Sequence, residues 1–191
     1  IWTLHVPIDE QLAHYGAHPP SMLAGLTCTP TMLPDVEFDG HGEPVNVLFE
    51  LACECGGKRF VVVGQVAGGD AADAVDDDAV IASPIEVECG ACGVTQQIFD
   101  ERKHGYDGVQ GNNGEAADPV CDGGDVGELF LDEIEAPHYV VVRLEYPSEL
   151  LGDPADATWR GREAEAFSWI SILAKDPVSG LTGVLYECEC S

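Results

Sequence analysis

Two cysteine pairs separated by 33 residues constrain this 191-residue chain more than any other feature. The first is Cys53-Glu54-Cys55-Gly56-Gly57 and the second is Cys89-Gly90-Ala91-Cys92-Gly93. Each breaks an apolar, strand-like run, residues 45–52 before the first and 81–88 before the second. A tight turn points two thiols the same way, and glycine lets the backbone take positive φ and approach the sulfurs. Bringing the two turns together by pairing their strands makes a tetrahedral site of four sulfurs, which suits zinc.

Cys53, Cys55, Cys89 and Cys92 are therefore the candidate metal ligands. The second pair has ordinary knuckle spacing. The first, Cys-x-Cys, is shorter than the usual separation of two to four residues, and the gap between the pairs exceeds the common 15–20. A long hairpin accounts for the gap, since each doubling of loop length costs only about 0.6 kcal/mol. On these four cysteines and the glycines after them, segment 45–99 resembles the zinc-ribbon class, over under a third of the chain. The resemblance implies two knuckles, each on a β-hairpin. Four thiolates fill the zinc shell and leave no open position for substrate, so the implied zinc is structural. Its binding free energy would stabilise hairpins that share little apolar surface.

Charge narrows the partners. Three lysines and five arginines oppose 35 carboxylates, for a net charge of −27. Duplex nucleic acid and anionic membrane would be repelled, which argues against the nucleic-acid role many zinc ribbons have. The charge serves solubility or tolerance of high salt, or else it masks a basic partner, as an acidic inhibitor or immunity-type protein would. No apolar run approaches the roughly 18 residues of a membrane span. Residues 1–10 are mixed and acidic, unlike a signal peptide. Eight cysteines in a chain this long are sparse for a disulfide framework, and the close pairs favour metal over crosslinks. The expected setting is reducing and cytoplasmic.

Along the chain, residues 9–15 suggest a short helix ended by Gly16 and the Pro19-Pro20 pair, followed by a proline- and glycine-rich wrapping arm to Pro44. Residues 45–51, 59–66, 79–87 and 94–99 read as four strands around the knuckles, with an acidic loop at 67–78. Residues 100–125 are polar, glycine-rich and irregular. Strands return over 126–148, most clearly 138–146, then a helical turn at 147–151 and a helix start at 163–167. A terminal hairpin closes the chain, 167–173 returning as 181–190. The fold class is mainly β (a β-rich α+β protein): antiparallel hairpins with an embedded zinc-ribbon-like two-knuckle module. The 191 residues read as one domain, with sub-module 45–99, loop 100–125 and a β-rich part 126–191.

Four other constellations carry chemistry. Cys188-Glu189-Cys190 lies on one face of a strand, as buried packing, as a redox pair, or as a second metal site with Cys121 or Cys28. His104, Tyr106 and Asp107 follow the second knuckle, with His104 either an acid–base catalyst or a loop cap. His14 and His18 are four apart, a metal spacing on a helix that Gly16 and the prolines argue against. Asp76-Asp77-Asp78 lacks the alternating ligands of a calcium loop. The function expected is that of a non-enzymatic, zinc-stabilised protein acting through protein–protein contact on an acidic surface. The rivals are an enzyme using His104, Tyr106 and Asp107, and a redox sensor or metal store using Cys188 and Cys190.

Overall fold

The computed structural model describes residues 6–31, 44–66, 81–105, 136–148, 150–151 and 159–190. Among these the chain is mainly β. Helix α1 (Ile8–Ala17) precedes strands β1 (Leu26–Thr31), β2 (Val45–Cys53), β3 (Arg59–Val66), β4 (Ile81–Cys89), β5 (Thr95–Phe99), β6 (His138–Tyr146), β7 (Trp169–Lys175) and β8 (Thr182–Glu189). Short 3-10 turns occur at Ser21–Leu23 and Glu163–Glu165, where a helix start was expected at 163–167. The acidic loop at 67–78 with Asp76, Asp77 and Asp78, the whole irregular stretch after Gly105, and residues 126–135 of the region where strands were expected to return lie outside the described residues.

The eight strands form one antiparallel sheet that branches at β6. One edge of β6 pairs with β7, which pairs with β8. Its other edge is shared end to end. β2 takes residues 141–146 and β3 takes His138 and Tyr139, through Phe60 and Arg59. This divides the sheet into a five-stranded body, β1-β2-β6-β7-β8, and a three-stranded ribbon, β3-β4-β5. The first knuckle is therefore not on a hairpin. It carries the chain from the body into the ribbon, whereas the second joins two paired strands, β4 and β5.

Alternation explains which face is buried. Val45, Val47, Phe49 and Leu51 of β2 face the main core with Val140, Val142, Leu144 and Tyr146 of β6. Leu48, Val141 and Leu173 point to the opposite face and form a small second cluster, so the middle of the body is buried on both sides. Helix α1 closes one end. It buries Gln11 and Tyr15, one turn apart, and stacks Tyr15 on Tyr146 with ring centroids 3.9 Å apart and planes 8° apart. The helix runs through Gly16, beyond its expected end. The stretch expected as an arm also holds a strand, β1, at the sheet edge, where Pro30 costs no ladder bond.

Candidate metal centre

The two knuckles are the same closed loop built with different numbers of residues. In the second, the Gly93 N–H donates to the Cys89 carbonyl at 2.8 Å and the Cys89 N–H donates to the Val94 carbonyl at 2.9 Å. In the first, the Gly56 N–H donates to the Cys53 carbonyl at 2.8 Å and the Cys53 N–H donates to the Gly57 carbonyl at 2.7 Å. Each glycine that follows the second cysteine has positive φ, +87° at Gly56 and +72° at Gly93. The Cys-x-Cys spacing thus removes one residue from the loop and keeps its closure.

Two contacts press the knuckles together. The Gly90 N–H donates to the Arg59 carbonyl at 2.9 Å. A side chain at Gly57 would put its Cβ 2.7 Å from Cys89 Sγ, and one at Gly90 would meet Pro137 Cγ at 2.5 Å. Both positions exclude any larger residue, so bare backbone allows the approach.

The result is a cluster. The ligand atoms of Cys53, Cys55, Cys89 and Cys92 all lie within 4.8 Å of one another. Two cross-knuckle pairs, Cys53–Cys92 and Cys55–Cys89, stand 3.7 Å apart Sγ to Sγ. Cys53 and Cys89 are buried, Cys55 and Cys92 exposed, and all four are free thiols. Such a set could hold a metal ion. Beside it a cavity of about 390 Å³ is lined by Leu26, Phe60, Val87, Val94, Gln96 and three of the cysteines, Cys53, Cys55 and Cys92.

The thiols cannot all ionise by themselves. Burial pushes the Cys89 thiol up, but the N–H groups of Ala91 and Cys92 and the neighbouring thiols outweigh it and bring Cys89 down to about 7. The Val94 N–H favours the Cys92 thiolate, yet Cys55, burial, Cys89 and Cys53 together push it up to about 12. Cys53 is helped by the Cys55 N–H and raised overall by burial and by Cys55 and Cys89. The thiolate is thus favoured at Cys89 and disfavoured at Cys53 and Cys92. A dication reverses this balance, because its charge compensates several thiolates at once.

The remaining candidates separate. Cys188 and Cys190 are buried in the main core, and Cys28 is half-buried with its thiol pushed up to about 11 by burial. Among the described residues none of the three joins a metal-holding group; Cys121 lies outside them. Tyr106 and Asp107 also lie outside. His104 is described, and it is a cap. Its Nδ1 accepts the Asp100 N–H at 2.9 Å, while its own N–H donates to the Asp100 carbonyl at 3.0 Å. A backbone N–H can only donate, so the neutral ring carries its proton on Nε2. Burial lowers its affinity for a second proton more than Asp100 and Glu165 restore it. As placed, His104 offers a donor and no basic lone pair.

Sequence reasoning missed a histidine. His138, 3% exposed, has neither ring nitrogen hydrogen-bonded. Within a run of strand formers nothing marked it out. No helix among the described residues is long and apolar enough to cross a membrane. Compared with known proteins, the chain matches no family model, no curated sequence and no solved structure.

Proposed function

We propose that Cys53, Cys55, Cys89 and Cys92 bind a structural zinc ion in a zinc-ribbon-like centre, and that the protein acts without catalysis, through contact with another protein. The 3.7 Å cross-knuckle spacing carries this reading. A tetrahedron with zinc–sulfur bonds of about 2.3 Å has edges of about 3.8 Å. Four sulfurs complete the shell, so the ion fixes where β2 leaves the body and where β4 turns to β5. Free thiols at Cys28, Cys53, Cys55, Cys89 and Cys92 suit a reducing, cytoplasmic setting.

The outer face of the ribbon supports the contact role. Val61 and Val63, 36% and 43% exposed, lie opposite Glu88 and Glu86 in the β3–β4 register. An apolar strip bordered by carboxylates, on a chain of net charge −27, complements a partner with basic and apolar groups, and fits an acidic inhibitor or immunity-type protein.

Elemental analysis with thiol counting before and after chelation tests the centre. The expected result is one zinc per chain, with the four clustered thiols becoming reactive on its removal. Purified protein with no metal and with disulfides among these cysteines overturns it. Partner binding should weaken steeply with added salt; salt-independent binding removes charge as its basis.

A further inference from the structure

A cleft of about 570 Å³ opens where the C-terminal end of α1 meets the turn after β5 and the turn before β7. His14 and His18 line it from the helix, Lys103 and His104 from the first turn, and Arg162, Glu163 and Glu165 from the second. Its cations are engaged elsewhere. Lys103 Nζ lies 2.7 Å from Asp100 Oδ2, and the Arg162 guanidinium sits 5.8 Å from the Trp159 ring centre. His104 offers only a proton. The groups left are two imidazoles and two carboxylates.

Three of those four are held by backbone through one polar atom, which leaves the other. His18 Nδ1 donates to the His14 carbonyl at 2.7 Å, so the neutral ring keeps its lone pair on Nε2. Glu165 Oε1 accepts the Ser21 N–H at 2.7 Å, and Glu163 Oε1 accepts the Gly161 N–H at 2.8 Å. Metal-binding histidines and carboxylates are oriented in this way, by hydrogen bonds at the atom that does not ligate. His14 stands one turn before His18, with ring centroids 4.7 Å apart. The helix end is electronegative and the chain carries −27, and both favour a cation.

We propose that His14 and His18, together with Glu163 and Glu165, bind a divalent first-row transition-metal ion at a site separate from the cysteine cluster. Imidazole ligands direct it to ions such as nickel, cobalt or zinc and away from calcium and magnesium. The cysteines are the one set of metal-ligand atoms already gathered among the described residues. Closing the second site takes side-chain rotation, so it binds more weakly than the thiolates do.

The test is equilibrium dialysis against Ni²⁺ of untagged protein loaded with one equivalent of zinc, comparing wild type with His18→Ala and Glu165→Gln. Glu165→Gln keeps the oxygen that accepts the Ser21 N–H. Wild type should bind nickel beyond its zinc content, and each substitution should weaken that binding at least about tenfold. Cobalt at the same site should give absorption without sulfur-to-metal charge transfer. No nickel uptake by wild type, uptake equal in wild type and His18→Ala, or a thiolate spectrum from the added cobalt would each overturn the proposal. All three proteins have the same cysteines, so the comparison stands whatever metal the knuckles hold.

Discussion

The tripeptide Cys-Glu-Cys occurs twice, at 53–55 and at 188–190, with opposite outcomes. In the first copy β2 ends at Cys53, and Gly56 at φ +87° turns the chain so that both sulfurs meet the facing knuckle. In the second, β8 stays extended through Glu189, so the two sulfurs fall on one face and enter the core, 5% and 7% exposed. Gly105 closes over the last of them, in contact with Cys190. Cysteine spacing therefore does not specify a metal centre. A glycine able to reverse the chain, and an opposing pair to meet, are what gather the four thiols.

Exchanging one sulfur in each copy's surroundings is the strongest way to break this comparison. Cys89→Ser removes a buried ligand facing the first copy. It should abolish stoichiometric metal binding and cost at least about 3 kcal/mol, or about 6–12 °C in melting temperature for a chain of this size. Cys188→Ser instead buries a hydroxyl in an apolar core, for about 1–3 kcal/mol, with metal content unchanged. Metal analysis and thermal melts on both variants decide it; metal loss from Cys188→Ser would mean the two copies are not independent.

The glycine is tested by a smaller change. At Gly56 an added Cβ meets nothing within 4 Å, so the cost of Gly56→Ala is conformational, about 1–2 kcal/mol for a left-handed residue. Metal should stay bound, with lower affinity by competition with a chelating dye. Unaltered stability and affinity would show that the turn is set by something other than the glycine.

Much of the body and ribbon was legible because strand signals are local. β3 and β6 coincide with the expected 59–66 and 138–146, and the terminal hairpin is present as β7 and β8, although β7 is buried on both faces and does not alternate. What was not legible depends on distant partners. That β2 pairs with β6 instead of with β3 is fixed by contacts about ninety to a hundred residues away in sequence. β1 was hidden because proline disfavours a strand, except at an edge where the ladder is absent. Gly16 resembled a helix stop, yet it faces Pro30 of β1 inside a continuous helix, which returns His14 and His18 to one cleft. The cysteine set was legible from chemistry and spacing. The tautomer that makes His104 a cap depends on one hydrogen bond and could not be.

The smallest expected effect tests the joint between the two copies of the tripeptide. His138 pairs with Phe60 where β6 meets β3, the strand leaving the first knuckle, while β6 also carries β7 and the β8 strand of the second copy. Burial lowers the His138 pKa, and Asp176 offsets this only in part. The unfolded chain therefore takes up the proton more readily than the folded one. The resulting stability is full above the ordinary histidine value of about 6.5 and is lost as pH falls through the lower folded value. Urea melts from neutral to mildly acidic pH should show wild type losing stability and His138→Leu losing less. Equal slopes would remove His138 as the titrating group. If acid released the metal before the tyrosine–tryptophan signal of the body changed, the ribbon would be melting separately, and the two tripeptides would belong to distinct cooperative units.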